Sequence, residues 1–227
     1  MKTLKRLICF AVLAVICATM FGCEDFKAKD YTPTADSFFE FTLNTSGDGY
    51  VVSAKSIDNL PETLYLPVEH NGKPVTEVAT EGFSAALIKE LRVPANIKTV
   101  GNRAFELCTS LEKVYFYKGA TEIKDAAFYG CSALQSLTLP KSLKTIGGSA
   151  FCECAALKSI ELPESLTSIG DFAFAACVSL KHVDIPHAVS YVGGNSFKNC
   201  SDDISFTISA SNPYLKLDEN GYPEVIG

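Results

Sequence analysis

The chain has 227 residues, 47% of them hydrophobic, with 15 Phe, 9 Tyr and no Trp. That is enough apolar material for a buried core, and it excludes disorder over most of the length. With 20 Lys+Arg against 26 Asp+Glu, a net charge of −6 and no basic run longer than two, it lacks the electrostatic footprint of a nucleic-acid binder.

The start of the chain reads as an address. Lys2, Lys5 and Arg6 precede an uncharged, mostly apolar run of 16 residues from Leu7 to Gly22. A bilayer-spanning helix needs roughly 20 residues. A charged start, a short apolar core and a small terminal residue instead make a secretory signal. Met20-Phe21-Gly22-Cys23 resembles the lipobox of bacterial lipoproteins. Gly22 fits that pattern, while Met20 and Phe21 depart from the usual Leu and Ala or Ser. The resemblance implies that residues 1–22 are a removed signal peptide. It makes Cys23 the lipidation site, acylated with palmitate-type chains that anchor the protein to the outer membrane or cell surface. One acyl chain holds only marginally and more than one holds stably. Cleavage leaves 17 basic and 26 acidic residues, net −9. Residues 23–38 then form a polar tether, and Glu24-Asp25 resembles the surface-export signal of Bacteroides-type lipoproteins.

Residues 39–62 alternate around Gly47-Asp48-Gly49 and predict a capping hairpin. The segment 63–203 follows as a repeat array. In its degenerate first copy, Leu64, Leu66 and Pro67 match a strand, and Val75, Val78 and Phe83 keep the later spacing around an inserted His70-Asn71-Gly72-Lys73-Pro74 turn. From Lys89 on, five copies of 23 residues align without a gap. Within one copy, Leu137-Thr138-Leu139 has strand alternation and Pro140 ends the strand. Leu143 and Ile146 point in again, Gly147 turns, and Ala150-Phe151, Cys154 and Leu157 come at near-helical spacing that predicts a short helical turn. No copy can bury its apolar side alone, whereas stacked copies can. Residues 204–227 continue the strand columns through Phe206 and Ile208 and then carry turn signals at Asn212-Pro213 and Asp218-Glu219-Asn220-Gly221, a C-terminal cap closed by a hairpin.

The columns identify the core. Phe105, Phe128, Phe151, Phe174 and Phe197 share one position, so strands about 4.8 Å apart would stack them into an aromatic spine. Cys108, Cys131, Cys154, Cys177 and Cys200 share another. Metal binding wants paired spacing with His nearby, which this period does not give. Disulfides between neighbouring coils would leave an odd thiol. Ala86 fills the position in the degenerate copy, which favours buried thiols acting as small apolar fillers. Cys152 falls outside the column, nearer the surface, and is the most reactive thiol expected.

The pattern of LTLPKSLKTIGGSAFCECAAL and its sister copies resembles the BspA-type leucine-rich repeat, over roughly residues 39–208. The second copy departs, with Tyr117-Lys118-Gly119 replacing the proline corner. The resemblance implies a right-handed leucine-rich-repeat solenoid of mainly short parallel strands with short helical turns and hairpin caps at both ends. It also implies a cell-surface or secreted protein that binds other proteins, on host matrix or on bacteria. It supplies no catalytic motif.

No enzyme signature is present: there is no phosphate loop, Rossmann fingerprint or H-E-x-x-H, and His70, His182 and His187 lie in a turn or on strand flanks. No cofactor or metal is expected, and Asp218-Glu219-Asn220-Gly221 lacks the ligand spacing of a calcium loop. The outward strand positions vary while inward ones hold: Glu90 and Arg92, Lys113 and Tyr115, Ser136 and Thr138, Ser159 and Glu161, His182 and Asp184. Tyr115 and Tyr117 flank inward Phe116 with Arg92 and Lys113 as neighbours, and these four residues are the candidate partner-binding patch. Paired outward tyrosines suit an interface, and tyrosine also favours strands wherever they lie. The expected protein is a monomer on a lipid anchor that binds a protein partner through its solenoid face. A glycan-binding lipoprotein of a saccharide-capture system and a structural envelope protein without soluble ligand are the alternatives, the absence of Trp counting against the first.

Overall fold

The computed structural model describes residues 34–226. The expected signal peptide, the expected lipidation site at Cys23 and most of the expected tether lie outside the described residues. The chain winds as a β-solenoid in which each repeat coil contributes one strand to a second wall, all but one contribute a strand to a front wall, and a run of tight turns forms a third side.

The front wall is a parallel sheet of Thr63–Tyr65, Glu90–Val93, Lys113–Phe116 and Ser136–Thr138 in that spatial order, and it resumes further on with His182–Ile185 beside Ser205–Ile208. The second wall runs from Tyr50–Ala54 through Lys73–Val78, Thr99–Val100, Glu122–Ile123, Thr145–Ile146 and Ser168–Ile169 to Tyr191–Val192, each strand parallel to the last. Tyr50–Ala54 also pairs antiparallel with Phe39–Leu43, so a hairpin forms the first rungs of this wall. The insertion of the degenerate copy becomes a small hairpin, Glu69–His70 against Lys73–Val78, turning at Asn71 and Gly72 with φ of 47° and 74°. At the far end Leu215–Leu217 pairs antiparallel with Pro223–Val225. The intervening Asp218 carboxylate accepts from the amides of Asn220 and Tyr222, which makes that loop a turn.

The third side differs from the expected short helical turns. It is a string of tight turns in which two residues per coil, four apart, adopt the left-handed conformation: Arg103 and Leu107, Ala126 and Gly130, Ser149 and Glu153, Phe172 and Ala176, Asn195 and Asn199. Alternating handedness straightens the chain, so it cannot close helical hydrogen bonds. Instead every second amide donates to the next coil: Arg103 to Asp125 at 2.9 Å, Phe105 to Ala127 at 2.8 Å and Leu107 to Tyr129 at 2.7 Å. The intervening amides close turns within the coil, as Glu106 does on Arg103 at 3.1 Å. The backbone is thereby satisfied without helix or strand.

Inside, Phe83, Phe105, Phe128, Phe151, Phe174 and Phe197 stack at 5.1 to 5.4 Å between centroids, with planes within 12° of parallel. Phe39 of the N-terminal hairpin meets Phe83 edge-on at 6.2 Å and Phe206 meets Phe197 at 4.9 Å, so both ends of the spine are covered. The column cysteines are free thiols at 0 to 8% exposure. Each Sγ–H donates to the carbonyl of the preceding coil's spine phenylalanine, Cys108 to Phe83 through Cys200 to Phe174, at 3.2 to 3.4 Å. Burial raises the Cys154 and Cys177 thiols well above the ordinary range and takes Cys200 up to about 11. The copy without a proline corner relies on Gly119, whose φ is 142° and where a Cβ would lie 1.7 Å from the Ala95 carbonyl oxygen.

Candidate binding face

The outward positions of the front wall lie on the surface, and their chemistry changes along the stack. In its first half the register sets Tyr65 beside Arg92 and Arg92 beside Tyr115. The Arg92 guanidinium lies 4.1 Å from the Tyr115 ring centroid and 5.9 Å from that of Tyr65. Its Nη1 donates to the Tyr117 hydroxyl at 3.0 Å and its Nε donates to Glu90 Oε1 at 2.6 Å. Burial opposes the Arg92 charge, but the bonds to Tyr117 and Glu90 outweigh it and hold the group above its ordinary pKa. One cation therefore fixes three tyrosines and a carboxylate in place, with Tyr115 and Tyr117 each half-buried.

The structure brings Arg92, Tyr115 and Tyr117 of the candidate patch into direct contact. Lys113 is in register with Glu90 but exposed, because the Glu90 carboxylate is engaged by Arg92; it makes no ion pair among the described residues. Tyr65 joins the patch, a residue the sequence reading did not single out. Its signal was present, since a residue between inward Leu64 and Leu66 must face out.

The second half of the face differs. His182 Nδ1 lies 2.8 Å from Ser205 Oγ and His182 Nε2 lies 3.1 Å from Asp184 Oδ1. The three residue types are those of a hydrolytic triad, which sequence spacing could not show. Their geometry argues against that chemistry: the histidine and aspartate side chains are 49% and 79% exposed on an open sheet surface, where water screens the charges such a triad relies on. His187 pairs with Glu164 at 2.7 Å, and His70 is absorbed into the N-terminal cap, stacked on Phe41 at 3.8 Å. Among the described residues no group of His, Cys, Asp and Glu could hold a metal ion, and no helix is long and apolar enough to cross a membrane. Cys152 is half-buried and free, its thiol raised by burial and then by Glu153. Tyr129 donates to Glu153 at 2.5 Å, which pushes the phenol up to about 12.

Comparison with known proteins agrees with this architecture. The profile of the BspA type leucine rich repeat region matches in six copies over residues 76–204. Among solved structures, a leucine-rich repeat protein of T. pallidum superposes with a TM-score of 0.71 at 27% identity, over 78% of this chain and 82% of that one. The pneumococcal vaccine antigen PcpA gives a TM-score of 0.67 at 22% identity over 86% of this chain, which spans 54% of the antigen. A leucine-rich cell surface protein from Faecalibacterium prausnitzii gives 0.56 at 21% identity over 88% of this chain and 62% of that one. At these last two identities the likeness is one of fold. No curated protein matches the chain.

Proposed function

The chain belongs to the BspA-type leucine-rich repeat family, and from that premise we propose that it is a cell-surface lipoprotein that binds a protein partner through the first half of its front wall. The observation that carries this reading is the Arg92 cluster, in which the guanidinium lies over the Tyr115 ring, faces Tyr65 and donates to Tyr117 on an outward face. Aromatic and arginine side chains dominate interface energetics, and a fixed platform loses less entropy on binding than free side chains do. Because Arg92 is already engaged by Glu90, the patch acts through aromatic and apolar contact, with exposed Lys113 at its rim available to an acidic group. Surface display is supported by the match to the Faecalibacterium cell surface protein and by the lipobox-like Met20-Phe21-Gly22-Cys23. Acylation at Cys23 would supply the anchor, at the outer membrane or cell surface, leaving a monomeric solenoid outside.

The test is binding of the purified chain to immobilised fibronectin and fibrinogen, with a panel of polysaccharides in the same run. The expected result is saturable binding to a matrix protein that falls in the Tyr115→Ala/Tyr117→Ala double variant while its melting temperature holds. Binding to a saccharide alone would instead make the face a glycan site. Loss of binding together with folding would make the tyrosines structural.

A further inference from the structure

The front wall is open in its middle, and we propose that the opening is a second binding site that takes up an extended peptide bearing basic side chains as an added strand. In the first four coils each front strand hangs on its predecessor. The amides of Glu112 and Lys113 donate to the Lys89 carbonyl, and those of Gln135 and Ser136 donate to Glu112 at 2.9 and 3.2 Å. At the next coil this stops. Residues 157–163 belong to no strand, and among the described residues the amides of Lys158, Ser159 and Glu161 donate to no backbone carbonyl and the carbonyls of Gln135 and Leu137 accept from no backbone amide. Pairing returns only where Ser205 donates to Lys181 at 2.9 Å. The second wall and the turn side stay bonded across the same coils, so the solenoid parts on one side only.

The result is a cleft of about 860 Å³ lined on one lip by residues 135–139 with Lys141 and on the other by Ser159 and residues 161–165. Three observations say what fits it. Both lips present backbone groups without a backbone partner among the described residues, acceptors on Gln135 and Leu137 and donors on Ser159 and Glu161, which an extended peptide lying in the cleft bonds. Ala156 donating to Ser132 at 3.1 Å and Ser165 Oγ donating to the Leu143 carbonyl at 2.6 Å close its two ends. The floor is apolar: Leu139 and Leu162 are each 9% exposed, and Leu137 is only partly buried although its column mates Leu91, Val114 and Val183 are fully buried. The exposed charges are Glu161 and Glu164 against Lys141; Glu164 is engaged by His187, and Asp184 on the coil beyond by His182, so Glu161 is the carboxylate that favours a cationic side chain on the ligand. A strand alternates its faces, so the peptide that fits sets apolar residues toward Leu137 and Leu162 and Lys or Arg toward Glu161. This site shares no residue with the tyrosine patch.

The probe is an end-blocked, fluorescein-labelled octapeptide of alternating Val and Lys, titrated against the purified full chain by anisotropy. We expect saturable binding that weakens about tenfold or more when the probe's alternate amides are N-methylated, because backbone bonds then have no donor. We expect it to weaken several-fold in Glu161→Lys, to be lost in Leu137→Glu, and to be unchanged in Tyr115→Ala/Tyr117→Ala. Glu161→Lys is a surface change that keeps the test open should Leu137→Glu fail to fold. Equal binding of the N-methylated probe, equal binding of a Val/Glu octapeptide, or no saturable binding would overturn the proposal. A self-associating chain dispersed by Leu137→Glu, with no peptide bound, would give the cleft to a second copy and also overturn it.

Discussion

The second wall and the front wall are made by the same 23-residue copies, yet one is continuous and the other is parted. On the second wall the same bond recurs in every copy: Gly101 to Val78, Lys124 to Val100, Gly147 to Ile123, Gly170 to Ile146 and Gly193 to Ile169, at 2.8 to 3.0 Å. It is locked by its neighbour, the turn side, where each coil gives three more bonds to the next, and by close backbone approach at positions such as Gly170, where a Cβ would fall 2.5 Å from the Gly148 nitrogen. The front strand has no such second anchor. It ends at a proline in all but one copy, so it has no donor with which to extend its pairing beyond the corner. Two anchored sides thus hold the stack, and the third is free to vary in residue type and in pairing. A solenoid uses such a side for recognition.

The largest effect should come from the element both walls share. Phe128→Ala removes a fully buried ring stacked on both faces and is expected to cost about 3–5 kcal/mol, read by denaturant unfolding, with both walls lost together. Gly119→Ala should cost about 3 kcal/mol, because its Cβ would collide with a backbone carbonyl and its φ is positive. Proline scanning separates intact from parted wall. Ser136→Pro removes an amide that bonds Glu112 and is expected to cost about 1–2 kcal/mol more than Ser159→Pro, whose amide has no backbone acceptor among the described residues.

A smaller effect is pH-dependent. The buried column thiols have raised pKa values in the folded chain, so they stay protonated there while unfolded thiols ionise near 9. Their contribution is complete below about 9 and is lost as pH rises toward the folded values. The melting temperature should therefore fall progressively above about pH 9, and the native chain should react slowly with a thiol reagent at the column positions and faster at Cys152. The smallest effect on folding should be that of Cys23→Ser, which is expected to release the protein from the membrane fraction while leaving its melting curve in place.

The strand, corner and turn of each coil were legible because an unbroken period forces equivalent residues into columns, and the Phe and Cys columns are buried as their apolar spacing requires. Tyr115 and Tyr117 were legible as outward residues by alternation. Their union through Arg92 was only half legible, since the alternation makes Arg92 a neighbour but its bond to Tyr117 joins residues 25 apart and needs the register. The turn side was misread because Ala150-Phe151, Cys154 and Leu157 have the spacing of a helix, whereas the left-handed Ser149 and Glu153 interrupt it, and neither residue announces that conformation in sequence. The parting of the front wall left no trace in the alignment: Leu137-Thr138-Leu139 and Ile160-Glu161-Leu162 match their sisters. A difference in pairing between neighbouring copies is a property of their packing.

Residue-resolved hydrogen exchange on the full chain tests that contrast most directly. The account predicts slow exchange at Gly101, Lys124, Gly147, Gly170 and Gly193 on the second wall and at Gln135 and Ser136 on the front, with fast exchange at Ser159 and Glu161. Protection of Ser159 and Glu161 equal to that of Ser136 would mean a closed front wall and would contradict it.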